Sequence, residues 1–245
     1  MTISSYKLQI SLKSDTLIGS GEGFGSIIDT DVVFDSLGLP FIPGRRLKGC
    51  LRESANQVCH MLSMSNIVPN PSKTSRDGRP EEYSPVVNLF GKPGARTPAR
   101  LRFFNYKLED PEKNQSCLQE LTQKFPGIVT RDSILQFFTC IRQQTAIDDT
   151  TGTAKPHALR TIRVVKKDFT FSGTILLDGG EAHPLESEGK WSLTEENLLA
   201  LACLNLRRIG SKRNRGFGEV ECRLFKDNGP KDNGLVDPLD GMGEA

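Results

Sequence analysis

The sequence predicts an α+β fold, a ferredoxin-like sandwich of one antiparallel sheet and two helices. Three observations predict it. Tyr6, Leu8, Ile10 and Leu12 alternate with polar residues, the period of a half-buried strand. Leu47, Leu51, Ala55, Val58 and Leu62 recur at the spacing of an amphipathic helix. Leu198, Leu199, Ala202 and Leu206 mark a second helix, after which Val220, Cys222 and Leu224 alternate again. Strand, helix, strands, helix, strand is the order of a β-α-β-β-α-β motif.

The other elements follow along the chain. Gly19, Gly21, Gly23 and Gly25 form a flexible loop whose spacing is wrong for a dinucleotide-binding turn, and no helix starts after it. Asp35 to Gly38 reads as a turn, and the first helix begins just after Pro43-Gly44. Its first turn carries Arg45, Arg46 and Lys48 rather than the acids a helix dipole favours. Cations together with open amides at a helix start suit a phosphate. Residues 66–83 read as a polar, proline-containing loop. Leu101 and Phe103, with Tyr106, mark a strand, residues 109–127 a short helix, and Ile134 to Ile141 and Phe169 to Leu177 two further strands. Asp148 to Arg160 is too polar for a core and reads as a projecting hairpin or loop. Ser192 and Glu195 form a capping box for the second helix, which ends at Gly210. Phe217 to Phe225 returns as the last strand.

Composition bounds what the chain can be. It has 245 residues, 36% hydrophobic and 25% charged, enough for a sizeable core. No apolar run approaches the roughly 20 residues of a membrane span, and the N-terminus lacks a signal peptide's apolar stretch. The six cysteines include no CxxC pair, which argues for free thiols in a reducing cytoplasm rather than a zinc ribbon or a disulfide framework. The expected organisation is one domain over residues 1–226 and a flexible acidic tail over 227–245.

Charge is informative once it is mapped. Residues 1–226 hold 31 Lys and Arg against 25 Asp and Glu, a net +6. Nineteen of the 32 basic residues fall in four acid-free stretches: Arg45 to Arg52, Lys92 to Lys107, Lys155 to Lys167 and Arg207 to Arg215. Clustered cations of this kind usually face a polyanion. The three histidines (His60, His157, His183) show no catalytic constellation. His60 lies on or near the helix stripe as a packed residue, and His157 sits in the projecting hairpin.

Two segments are more specific. Asp35 to Arg52 (DSLGLPFIPGRRLKGCLR) resembles the "D…GLPyIPGssLKGalR" signature of the CRISPR-associated RAMP superfamily. Arg207 to Val220 (RRIGSKRNRGFGEV) is similar to that superfamily's C-terminal glycine-rich loop. Leu89-Phe90-Gly91 and Arg100-Leu101-Arg102-Phe103 fit its "lFG…sRlrf" region, and Ile147 to Pro156 resembles the "iDr.tg.a.p" entry to the thumb of Cas7 subunits of the Csm3 and Cmr4 kind. The matches are in order and cover nearly all of residues 6–226.

The resemblance implies a ferredoxin-like (RRM-like) core with an inserted thumb hairpin and loop insertions. It implies a cytoplasmic backbone subunit of a type III effector in antiviral defence. Its partners would be CRISPR RNA, complementary single-stranded target RNA, further Cas7-like copies, and Cas10 and Cas5-like subunits. Gly44, Arg45, Arg46, Lys48, Arg52, Lys155, His157, Arg160, Ser211, Lys212, Arg213 and Arg215 would contact RNA. Asp29 matches the nuclease aspartate of the family's "aIDspVi" and would be both the catalytic residue and the ligand of Mg²⁺ or another divalent cation. The sequence has Asp31 where the family usually has proline, so Asp29 and Asp31 both stay open, with turn former as the bland role of each. RNA supplies its own 2′-OH nucleophile, so one carboxylate holding an ion or assisting proton transfer is sufficient chemistry. The alternatives are a RAMP subunit that only binds guide RNA, a Cas6-like processing endonuclease, and an unrelated RNA-binding protein of this fold.

Overall fold

The computed structural model describes residues 2–21, 23, 27–65, 83–92, 94, 98–179, 194–227 and 234–239. Strand β1 (Thr2–Leu12) is the spine of its main sheet. It pairs antiparallel with β6 (Thr170–Gly179) from Thr2↔Gly179 to Ser11↔Thr170, and with β7 (Val220–Lys226) from Tyr6↔Lys226 to Leu12↔Val220. Two short strands, β2 (Leu101–Phe103) and β3 (Lys107–Leu108), lie on the far side of β6. The sheet order is therefore β2-β6-β1-β7, with β3 also paired to β6.

One face of this sheet is covered by α1 (Gly44–Met64) and α5 (Glu195–Asn205), which pack on each other. The alternation of β1 decides which face: Leu8, Ile10 and Leu12 are at most 1% exposed, while Lys7, Gln9 and Ser11 turn the other way. Leu47, Leu51, Ala55 and Val58 bring the α1 stripe into the same core as Leu198, Leu199 and Ala202. Ser54 donates its hydroxyl to the Ala202 carbonyl at 2.7 Å, tying the two helices together. Truncating a side chain as enclosed as Leu51 to alanine costs about 2–5 kcal/mol. The buried Tyr106 ring lies against Gly173 of β6, where a Cβ would meet it at 2.7 Å. No helix among the described residues is long and apolar enough to cross a membrane.

Several boundaries differ from expectation. Ile134 to Ile141 is not one strand. Residues 131–138 form helix α4 (Arg131–Phe138), and strand β4 (Thr139–Gln144) starts only after it. Thr130 and Ser133 cap each other's backbone N–H, and Ile134, Leu135 and Phe138 share one helix face. The expected short helix is α3 (Pro111–Lys124), 14 residues long, and α2 (Ser84–Phe90) precedes β2. The cap of α5 is the pair Thr194 and Asn197, with Ser192 outside the described residues; Glu195 instead pairs with Arg100. That helix ends at Asn205 rather than Gly210 because residues 207–209 pair with the entry to β7, Ile209 N–H donating to Gly218 at 2.8 Å and Val220 N–H to Arg207 at 2.9 Å. Residues 234–239 of the expected flexible tail lie along β7. Val236 donates to Leu224 at 2.9 Å and is buried, and Asn197 donates to the Pro238 carbonyl. The remainder of that segment, most of the 66–83 loop, Arg96 and His183 lie outside the described residues.

The projecting element is a hairpin, β4 with β5 (Arg160–Val165), in register from Thr139↔Val165 to Gln144↔Arg160. Its base is stitched to the body by Thr16 N–H to Val165 at 2.8 Å and Val165 N–H to Thr16 at 2.9 Å. Asp29 to Asp31 runs beside β5, bridged through Thr30↔Ile162. This stretch joins the glycine loop, the hairpin and the body at one corner.

Candidate functional site

Asp29 sits at that corner, on an exposed stretch. The main chain of Thr161 faces away from β4. Its carbonyl accepts from Asp29 N–H at 2.8 Å, and its N–H donates to Asp29 Oδ2 at 2.7 Å. The carboxylate is thereby oriented by the hairpin, and Oδ1 has no protein partner among the described residues. Asp31, two residues on, has a different fate. Its carboxylate is 6% exposed, accepts from Arg163 Nη1 at 2.9 and 3.2 Å and from Val32 N–H at 2.7 Å. It is spent on holding the loop to β5. Asp35 is a turn former, accepting from the N–H groups of Leu37 at 2.9 Å and Leu39 at 3.0 Å.

The glycine-rich loop after α5 closes over the same corner. Gly210 and Gly218 are needed there for contact as well as for their positive φ of +80°: a Cβ would lie 2.5 Å from the Leu17 carbonyl at the first and 2.0 Å from the Ile209 carbonyl at the second. Ser211 N–H donates to Leu17 at 2.9 Å, which places Lys212 at φ +59°, before a single 3₁₀ turn at Arg213–Arg215. Lys212 Nζ donates to Gln144 Oε1 at 2.5 Å, and Gln144 is the β4 partner of Arg160. Burial, then Arg215 and Arg160, push the Lys212 ammonium below its usual pKa, and Asp29 acts in the opposite sense. Asp29, Arg160, Lys212 and Arg215 thus share one electrostatic site.

A groove of about 380 Å³ runs from this loop to α1. It is lined by Arg46, Gly49 and Cys50 on the helix and by Gly210, Ser211 and Arg213 on the loop. Arg213 reaches across to Glu53 at 3.1 Å. Arg45 and Arg46 are exposed on the first turn of α1. Lys48 and Arg52 lie one turn apart, and burial followed by Arg52 lowers the Lys48 pKa. Gly44 is set by packing and its amide is used inside the protein. It is buried, its N–H donates to Asn105 Oδ1 at 3.1 Å, and a Cβ would lie 2.3 Å from the Phe104 carbonyl. The Arg46 and Leu47 amides donate to Pro43. The amides of this turn are therefore largely used inside the protein, and the side-chain cations carry its charge.

Lys155 and His157 are exposed on the hairpin arm, about which Ile147 (53% exposed) and Leu159 (62%) also project. Other basic residues of the four stretches are committed elsewhere. Arg100 pairs with Glu195, Arg102 with Asp178 at 2.5 Å, and Lys166 donates to the Phe137 carbonyl at 2.6 Å at the end of α4. His60 is exposed rather than packed and meets the Tyr83 hydroxyl at 3.2 Å. Sequence reasoning missed Thr161, Gln144 and Asn105, whose parts depend on strand register and on contacts far apart in the chain. Among the described residues no group of three or more His, Cys, Asp or Glu could hold a metal ion. Asp29 fits a divalent cation only as the single carboxylate of a largely hydrated sphere, a mode Mg²⁺ tolerates when phosphate oxygens complete it.

Comparison with known proteins is consistent with this geometry. The sequence profile of the RAMP superfamily matches residues 9–221. No curated protein matches the sequence. Among solved structures, a chain of Type III-B Cmr-beta in the apo state is similar with a TM-score of 0.56 at 14% identity, over 91% of this chain and 98% of that one. A chain of Type III-B Cmr-beta bound to cognate target RNA gives a TM-score of 0.54 at 13% identity, over 91% and 97%. At these identities the likeness is one of fold.

Proposed function

The chain belongs to the RAMP superfamily, and from that premise we propose that it is a Cas7-like backbone subunit of a type III CRISPR effector. It binds CRISPR RNA and cuts complementary target RNA at regular intervals. The observation that carries this reading is the corner where a hairpin-held Asp29 carboxylate, Arg160 and Arg215 all act electrostatically on Lys212. The fold shared with Cmr-beta chains, one of them in a complex with cognate target RNA, supports it.

The residues divide the work. Arg45, Arg46, Lys48, Arg52, Ser211 and Arg213 hold the guide's phosphates along α1 and the groove. Phosphate contacts carry no sequence information, which suits guides of any sequence. Lys155 and His157, with Ile147 and Leu159, arm the hairpin to enter the stack and turn a nucleotide out. Arg160, Lys212 and Arg215 place the scissile phosphate beside Asp29, which draws the proton from the attacking 2′-OH. Asp29 would be the protein ligand of a hydrated Mg²⁺ or similar ion, whose chemistry when bound is to neutralise charge on the phosphate. Neighbouring subunits would be further copies of this chain, with Cas10 and Cas5-like proteins at the ends.

The test is cleavage of a guide-complementary RNA by the assembled effector, with Mg²⁺ or EDTA, comparing wild type with Asp29→Ala. Regularly spaced cuts should vanish in the variant and in EDTA while RNA binding persists. Unchanged cuts in the variant would make Asp29 a loop residue and the subunit a guide-binding one only.

A further inference from the structure

We propose that Lys212 is a second catalytic residue of this corner, a general acid that protonates the 5′-oxygen as it leaves the cleaved phosphodiester. The proposal rests on the cleavage reading above and assigns its missing proton. Cutting RNA through the 2′-OH forms a bond from the 2′-oxygen to phosphorus and breaks the bond from phosphorus to the 5′-oxygen. The 2′-OH proton goes to the Asp29 side, and the departing alkoxide needs one in return. The products are a 2′,3′-cyclic phosphate and a 5′-hydroxyl, and water restores the proton on the amine.

Lys212 is placed for that step by features a mere phosphate ligand does not require. It is one of four non-glycine residues in the chain's described part with positive φ, a conformation maintained only where surroundings enforce it. Here Ser211 N–H on Leu17 and Arg215 N–H on the Lys212 carbonyl, at 2.9 Å each, enforce it. The side chain is drawn in from solvent and held at Nζ by Gln144 Oε1. Gln144 is paired with Arg160, and the next residue, Thr161, holds Asp29. Acid and base are thus each held by one of two adjacent rungs of one hairpin. Arg160 and Arg215 are the other cations there, and a guanidinium supplies charge without giving up a proton.

The experiment uses the effector assembled on guide RNA with wild type, Lys212→Met, Lys212→Arg and Asp29→Ala. Each cuts two targets under single-turnover conditions, one ordinary and one with sulfur in place of the bridging 5′-oxygen at the scissile position. A thiolate leaves without a proton, so the second target needs no acid. Both Lys212 variants should cut the ordinary target roughly 100-fold or more slowly and the sulfur target at close to the wild-type rate. Asp29→Ala should be slow on both. Equal slowing of Lys212→Met on the two targets would overturn the assignment and leave Lys212 a phosphate ligand. So would a wild-type rate for Lys212→Arg on the ordinary target, because charge alone would then suffice. Undiminished cutting of both targets by Asp29→Ala would instead overturn the underlying site. Guide binding by Lys212→Arg, which keeps the charge, confirms that the variant is folded.

Discussion

Arg163→Met should unseat the loop that carries Asp29, and the size of the effect follows from the burial of its partner. The Asp31 and Arg163 side chains are 6% and 13% exposed, and Nη1 serves both carboxylate oxygens. With the guanidinium removed, Asp31 keeps the Val32 N–H at 2.7 Å but loses its counter-charge. Stranding a buried charge in this way costs about 3–5 kcal/mol. For a chain of this size that is a fall in Tm of roughly 6–20 °C. Thermal melts of the purified chain should be read as a cycle of Arg163→Met, Asp31→Asn and the double variant. Each single variant should lose at least as much as the double, because the second change removes the charge that the first one stranded. A loss below about 1 kcal/mol with additive singles is the behaviour of an exposed pair, and would refute the reasoning. The same lesion should appear in chemistry. Asp31 lies two residues from Asp29 on the loop that the Arg163 side chain holds, so cleavage should fall further than guide binding in any variant that still folds.

Two other outcomes are expected. Lys48→Ala and Arg52→Ala should each weaken guide binding evenly across guide sequences and lower the salt dependence by about one phosphate contact, measured as the slope of log affinity against log salt; a loss confined to one guide would remove the phosphate role. In the hairpin, the N–H groups of Thr150 and Thr151 hold the Asp148 carboxyl below its ordinary pKa. Its contribution to the turn is therefore present above the unfolded pKa and is lost as pH falls through the lower folded value, which a carbon NMR titration of Asp148 checks. Titration at the ordinary value would mean the turn does not hold in solution.

How much of this was legible depends on how far apart in the chain the cause lies. Helix α1 and strand β1 could be read because each buries one face, and the apolar period states which. Helix α4 was misread as strand because Phe137, Phe138 and Ile141 are β-prone, while the signal that decides, Thr130 capping with Ser133, lacks the usual Glu or Gln. Counting cations overstated the polyanion surface, since Arg100, Arg102 and Arg163 find their acids 95, 76 and 132 residues away. Asp29 could be singled out by resemblance and Asp31 held beside it, but only burial separates them. One carboxylate is enclosed with an arginine, and the other is left at the surface on a backbone N–H.

The corner is held by main chain at Thr161 and by side chains at Gln144 and Lys212. Thr161 contributes nothing but its N–H and carbonyl to Asp29, so almost any residue would serve there and no sequence signal marks it. Gln144 marks itself no better, being one polar residue in a polar strand. Yet a slip of one residue in the β4–β5 register would turn both Gln144 and the Thr161 main chain to the opposite side, parting Lys212 from Asp29 while every residue of the motifs stayed in place. The hairpin proposed to turn a nucleotide out would thus also be the ruler that spaces the proposed acid from the proposed base. Changes that shift its register, such as deletion of one residue within β4 ahead of Gln144, should leave phosphate binding along α1 intact and abolish cutting. Cutting that survives such a shift would place the two functions on separate supports.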